Sequence, residues 1–136
     1  RLSEDEMVIM RQHAAIGHSI LKGSQAPMLQ LAAEIAFSHH ERFDGTGYPY
    51  GLRAEEIALS ARIVALADMY DALTSKRVYK DAMTHEEARR IIMDARGTHF
   101  DPRVADAFER ASANFEQARN QLAPPPDSTF VGRIAA

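Results

Sequence analysis

Residues 38–52 read SHHERFDGTGYPYGL. Two adjacent histidines, His39 and His40, are followed by Glu41 and Asp44, three glycines and a proline. Each glycine costs a helix roughly 1 kcal/mol and a proline about 3, so this stretch cannot be helical throughout. Its flanks read the other way. Upstream, Pro27 suits a first helical turn, and Leu29, Leu31, Ala32, Ile35 and Ala36 supply the apolar positions of a helix. Downstream, residues 59–74, LSARIVALADMYDALT, are apolar on almost every side and predict a buried helix. The quoted segment is therefore a helix end running into a loop over 41–53, with the histidines at the junction.

The rest of the chain extends the helical pattern. Ser3-Glu-Asp-Glu6 is a capping box, and Met7, Met10, Ala14, Gly17, Ile20 and Leu21 follow as a helical stripe. Gly23 is a suitable stop. Thr84-His-Glu-Glu87 is a second capping box, opening a helix that ends near Gly97. Asp101-Pro102 caps another, with Val104, Ala105, Phe108 and Ala111 as its apolar face. The APPP run at 123–126 breaks any helix, leaving 127–136 as an extended or mobile tail. No segment alternates with a period of two and no internal repeat is visible. The expectation is an all-α helical bundle.

Composition narrows the chemistry. The 136 residues make about one domain, with 46% hydrophobic and 26% charged residues. A formal charge of −3 gives no reason to expect a DNA or RNA polymer or a membrane surface as partner. No apolar run approaches the ~20 residues of a membrane span, and no signal peptide is visible. Cysteine is absent, so a metal would be held by His, Asp or Glu, which suits Fe, Mn, Zn or Mg. The chain opens at Arg1 in helix-like sequence and reads as a fragment.

Several residues carry chemical possibilities. His39 and His40 point about 100° apart on a helix and cannot both face one ion from its surface. At a helix end they could serve two neighbouring ions, or simply be two solvated polar residues. Asp68 lies among Ile63-Val-Ala-Leu-Ala67 and Met69-Tyr70, where a carboxylate needs a metal or a partner such as Arg62 or Arg77. Asp71 follows one turn later. His13 sits among apolar residues, as a third imidazole or a satisfied core histidine. His18 faces elsewhere on the same helix, His85 reads as surface and His99 as a turn residue, so none of these is expected to be a ligand. The 44–51 loop matches no phosphate-cradling glycine motif, yet its glycines allow close backbone approach, and Tyr48 could stack on a base or line a pocket. Lys76, Arg77 and Lys80 form a cationic cluster, suited to phosphate oxygens or to solvent.

Taken together, HHERFDGTGYPYGL, EEI and SARIVALADMYDALTSKRVYK within residues 39–80 closely resemble the HD-GYP family. The similarity runs upstream through EMVIMRQHAAIGHSIL and downstream through GTHFDPRVADAF, and Gly47-Tyr48-Pro49 is the motif that names the family. The family comprises bacterial metal-dependent phosphodiesterases of cyclic di-GMP within the all-helical HD superfamily. The resemblance implies metal ligands at His13, His39, His40 and Asp68, substrate contact from Tyr48, and phosphate contacts from Arg77 and Lys80. It implies two or three divalent ions, iron or manganese, and hydrolysis to linear pGpG or GMP. Asp44 is expected to shape the loop by a hydrogen bond.

The sequence departs from the family in one respect. It contains no His-Asp dipeptide, which in the family precedes this stretch together with a lysine. The expectation is thus a partial HD-GYP domain over 1–122, lacking its N-terminal helices and inactive alone, with a Pro-rich tail over 123–136. The alternative is a module that binds cyclic di-GMP, or docks a diguanylate cyclase domain, without turnover. A smaller departure is Arg53-Ala54, where the family often has a glycine. The family further implies a bacterial cytoplasmic setting with an upstream sensory or receiver domain. Apolar surface left by missing helices would favour a homodimer.

Overall fold

The structure is a computed structural model that describes residues 3–76 and 81–122. The six helices are α1 (Glu4–Leu21), α2 (Pro27–Ser38), α3 (Leu59–Thr74), α4 (His85–Asp94), α5 (Pro102–Arg110) and α6 (Ser112–Leu122). A 3-10 turn at Ala54–Glu56 interrupts the connection between α2 and α3. Among the described residues there is no strand, only an isolated bridge between Arg96 and Phe100. The all-α expectation holds. The tail at 123–136 lies outside the described residues.

Both capping boxes form. The Ser3 hydroxyl accepts the Glu6 N–H at 3.2 Å, and the Glu6 carboxylate accepts the Ser3 N–H at 2.7 Å. Thr84 and Glu87 do the same for α4, at 3.2 and 2.9 Å. Each exchange satisfies two backbone donors that a helix start leaves orphaned. The ends were harder to place. α1 stops at Leu21 with Lys22 as its cap, ahead of Gly23, and α4 stops at Asp94, ahead of Gly97. The chain also breaks at Ala111 to start α6, which no glycine or proline marks.

The main core lies between α3, α4 and α5. Leu66, Tyr70, Leu73, Ala88, Ile92, Phe100, Ala105 and Phe108 form one buried cluster. Each large apolar side chain removed from water there stabilises the fold by ~1.5–3 kcal/mol. Two polar links cross it. Arg62 on α3 pairs with Asp101, the buried N-cap of α5, which also accepts the Arg103 N–H at 2.8 Å. His85, expected at the surface, is half-buried and bridges the Tyr70 hydroxyl and the Ser112 hydroxyl, 2.8 Å from each.

The expectation of all-round burial for α3 is corrected. Ala61, Leu66, Tyr70, Leu73 and Thr74 are buried, but Leu59 and Ile63 are 54% and 50% exposed, and Asp68 is exposed. One face of α3 packs on its neighbours and the other stays open among the described residues. The reason for suspecting Asp68 from burial therefore falls away, and Arg62 is taken by Asp101. No helix among the described residues is long and apolar enough to cross a membrane.

The departure at Ala54 has a structural cost. Its φ is +51°, in the left-handed region where a Cβ is crowded. Ala54→Gly relieves that crowding and adds unfolded-chain entropy, so the two effects oppose. The net expectation is a stabilisation of about 0.5–1 kcal/mol, read as a higher urea midpoint at unchanged slope.

Candidate metal centre and its loop

The centre forms where α1 meets the end of α2. A Cβ placed on Gly17 of α1 would sit 3.5 Å from the Cβ of Ala36 on α2, so the small side chains let the helices approach closely. Ala14 and Ala33 are buried on the same two helices. His13 therefore reaches the C-terminal end of α2. There the helix ends at Ser38, and His39 and His40 fall in the turn that follows. His39 is the C-cap, its N–H still bonded to the Ile35 carbonyl at 2.9 Å, and the His39 and His40 rings sit 4.0 Å apart by centroid.

His13, His39 and His40 offer ring nitrogens that all lie within 4.8 Å of one another. Backbone carbonyls set two of the tautomers. His13 Nδ1 donates to the Met10 carbonyl at 2.6 Å, and His39 Nδ1 donates to the Ile35 carbonyl at 3.0 Å. In the neutral rings Nε2 then carries the lone pair, the form in which imidazole binds a metal. His40 Nε2 lies 2.9 Å from His13 Nε2. Burial, followed by the neighbouring His39 and His13, lowers the His40 pKa to about 4, against an upward pull from Asp68. His40 is thus neutral at pH 7.

Asp68 is not one of the clustered donors, but its charge acts on both His40 and Tyr48. Three imidazoles with a carboxylate acting on one of them fit a borderline divalent cation. His13, His39 and His40 would hold such an ion, and its chemistry there would be to lower the pKa of a water and act as a Lewis acid. His18 stays apart, on the Phe37 ring at 4.8 Å with its Nδ1 3.1 Å from the Ala33 carbonyl oxygen.

The loop after the histidines is held by a residue whose role the sequence did not reveal. Glu41 is 2% exposed and accepts the backbone N–H groups of Tyr50 at 2.7 Å and Leu52 at 3.1 Å. Hydrogen bonds to a charged acceptor are among the stronger ones, about 1.5–3 kcal/mol each. Asp44 shapes the loop locally, as expected, accepting the Thr46 hydroxyl at 2.6 Å and the Thr46 N–H at 2.9 Å. Those two bonds lower its pKa, the hydroxyl most. Gly47 lies so close to the preceding turn that a Cβ would stand 2.3 Å from Arg42 N and 2.5 Å from Glu41 Cα. Only glycine fits there without a backbone shift.

From below, the loop is joined to residues 98–99. The Phe43 N–H donates to the His99 carbonyl at 3.1 Å and the Asp44 N–H to the Thr98 carbonyl at 2.9 Å. His99 is half-buried and its pKa is lowered, by burial first and then by Arg42, against Asp44. It is a turn residue, as read from sequence, and when protonated it adds the last of the effects that lower the His40 pKa.

Tyr48 joins loop and centre. Its ring stacks on His40 with centroids 4.8 Å apart, and the Arg11 guanidinium carbon lies 5.1 Å from the centre of the ring. Burial raises its pKa, with Arg11 opposing and Asp68 adding. Arg11 was not singled out in the sequence. Arg77 and Lys80 lie outside the described residues.

A probable cyclic di-GMP phosphodiesterase of Vibrio cholerae is 50% identical over 121 residues, covering 85% of this chain and 27% of the relative. A cyclic di-GMP phosphodiesterase response regulator of Xanthomonas campestris is 50% identical over 122 residues, covering 90% and 32%. The chain thus spans about a third or less of these relatives' length. In fold it is similar to a cyclic GMP-AMP specific phosphodiesterase of V. cholerae, with a TM-score of 0.67 at 24% identity, over 90% of this chain and 28% of that one. A family model described as an HD domain matches residues 1–104. With a GYP tripeptide at 47–49 whose Tyr48 stacks on His40, the chain belongs to the HD domain family, in its HD-GYP branch.

Proposed function

We propose that this chain is part of a metal-dependent phosphodiesterase acting on cyclic di-GMP. The observation that carries the reading is the gathering of His13, His39 and His40 within 4.8 Å beside a loop that fixes Tyr48. The relatives at 50% identity bear cyclic di-GMP phosphodiesterase names, which supports this dinucleotide as substrate. His13, His39, His40 and Asp68 would hold two or three ions of iron or manganese. Tyr48, Arg77 and Lys80 would contact substrate. Residues 1–122 would form one partial domain and 123–136 a tail, in a bacterial cytoplasmic protein with an upstream sensory or receiver domain.

In this reading the chain's own residues have distinct tasks. The carbonyls of Met10 and Ile35 orient His13 and His39. Glu41 and Gly47 hold the loop in place beside the dinucleotide. Neutral His40 leaves a lone pair available at working pH. The test is release of pGpG or GMP from cyclic di-GMP by the natural protein that contains this chain, with added Mn²⁺. We expect turnover, lost with a chelator or with His39→Ala.

A second reading is a domain naturally without the His-Asp pair, which would bind cyclic di-GMP or dock a diguanylate cyclase domain, alone or as a homodimer, without turnover. Tight binding of cyclic di-GMP by the natural protein with no product would select it over the enzyme.

A further inference from the structure

We propose that Arg11 is a substrate-binding residue of this centre, its guanidinium taking the non-bridging oxygens of the phosphodiester that the imidazole cluster does not hold. The inference rests on the cyclic dinucleotide reading above and extends it to a residue outside the family's motif.

Arg11 differs from the chain's structural arginines. Arg62, Arg89, Arg96 and Arg103 each pair with a carboxylate on another element. Arg11 is exposed and, among the described residues, makes no ion pair and no hydrogen bond; its one partner is the Tyr48 ring. A cation over an exposed ring is held weakly, whereas a bidentate guanidinium–phosphate pair is strong and oriented. Among the described residues nothing occupies the five N–H donors of Arg11, which can serve such a pair.

Its position is set by the same elements that set the centre. α1 carries both Arg11 and His13. Tyr48 stacks on His40, and its loop is anchored by Glu41 and by the close approach at Gly47. Two successive ring contacts, 4.8 Å and 5.1 Å, lead from a candidate ligand to a free guanidinium. A cyclic dinucleotide has two phosphodiesters, so a second cationic contact near the first is what its chemistry requires. Tyr48 already carries His40 and Arg11, so an arriving base meets a cation there, and a phosphate meets unpaired donors.

The experiment measures binding of cyclic di-GMP and cyclic di-AMP, before turnover and with saturating Mn²⁺, to the natural protein that contains this chain, for the parent, Arg11→Ala and Arg11→Lys. Mn²⁺ affinity and circular dichroism are the controls, and both should match the parent. Arg11→Ala should weaken both dinucleotides by the same factor, roughly 10- to 100-fold, because a charge-assisted pair is lost. Arg11→Lys should recover part of that loss as a point charge. Affinities within twofold of the parent for Arg11→Ala would overturn the proposal. So would a loss confined to cyclic di-GMP, which would make Arg11 a reader of the guanine edge. A parent that binds Mn²⁺ but neither dinucleotide would remove the cyclic dinucleotide reading for this chain, and the role of Arg11 with it.

Discussion

Replacing His40 by alanine is expected to weaken Mn²⁺ binding by roughly 100-fold or more, since even groups that merely orient a ligand are worth 10- to 100-fold. His40 lies 2.9 Å from His13 through their Nε2 atoms, sits tilted against His39 with centroids 4.0 Å apart and stacks on Tyr48, so it is the ring that joins the other two to the loop. Its pKa of about 4 leaves protons as negligible competitors for the metal at pH 7. Calorimetric titration with Mn²⁺ would show the loss directly. His18→Ala is the matched control, because His18 sits on Phe37 outside the cluster, and its affinity for the metal should equal the parent's. Equal binding by the parent and His40→Ala would mean that the three imidazoles do not form a metal centre.

The second large effect lies in the core. Asp101→Asn should destabilise the fold by about 3–5 kcal/mol, the usual consequence of leaving one member of a buried pair uncompensated. Asp101 is 1% exposed and Arg62 lies beneath the α3–α5 contact with its Nε already lacking a hydrogen-bond partner. Asparagine still caps the helix, so the loss reports the charge, and Asp101→Ala would add loss of the cap, about 1 kcal/mol more. Burial raises the Asp101 pKa, but the Arg103 N–H, the Arg103 guanidinium and Arg62 outweigh it, and the net shift is downward from 3.8. A carboxylate depressed by folding stabilises above its unfolded pKa and loses that contribution as pH falls through the folded one. Urea unfolding at pH 7 and near pH 3 should therefore show the gap between parent and Asp101→Asn narrowing in acid.

Much of this was legible because the signals are local. Ser3 with Glu6 and Thr84 with Glu87 fix two helix starts within four residues, and Pro27 and Pro102 fix two more. The histidine pair was identifiable because a helix end beside a glycine-rich loop is itself a local pattern. What failed depended on distant neighbours. The apolar composition of α3 does not say which of its faces meets another helix, so Asp68 was expected inside and lies outside. Glu41 looked like one more acid beside the histidines. Its acceptors are needed nine and eleven residues on, and the only hint was a carboxylate next to a loop rich in unpaired N–H groups. Arg11 was hidden because helical periodicity tracks apolar positions and passes over a cation on a polar face. The break at Ala111 has no turn chemistry to announce it.

The order His39, His40, Glu41 has a consequence for how this family can vary. Two candidate ligands and the anchor of the loop occupy three consecutive positions, and six residues later Gly47 folds back onto the backbone of 41 and 42. One residue inserted between 40 and 47 would rotate either the ligands or the anchor out of place, with no slack to absorb it. The spacing of this stretch is therefore as constrained as its composition. Length changes among relatives should accumulate in connections such as 22–26, where a side chain on Gly23 would meet nothing within 4 Å.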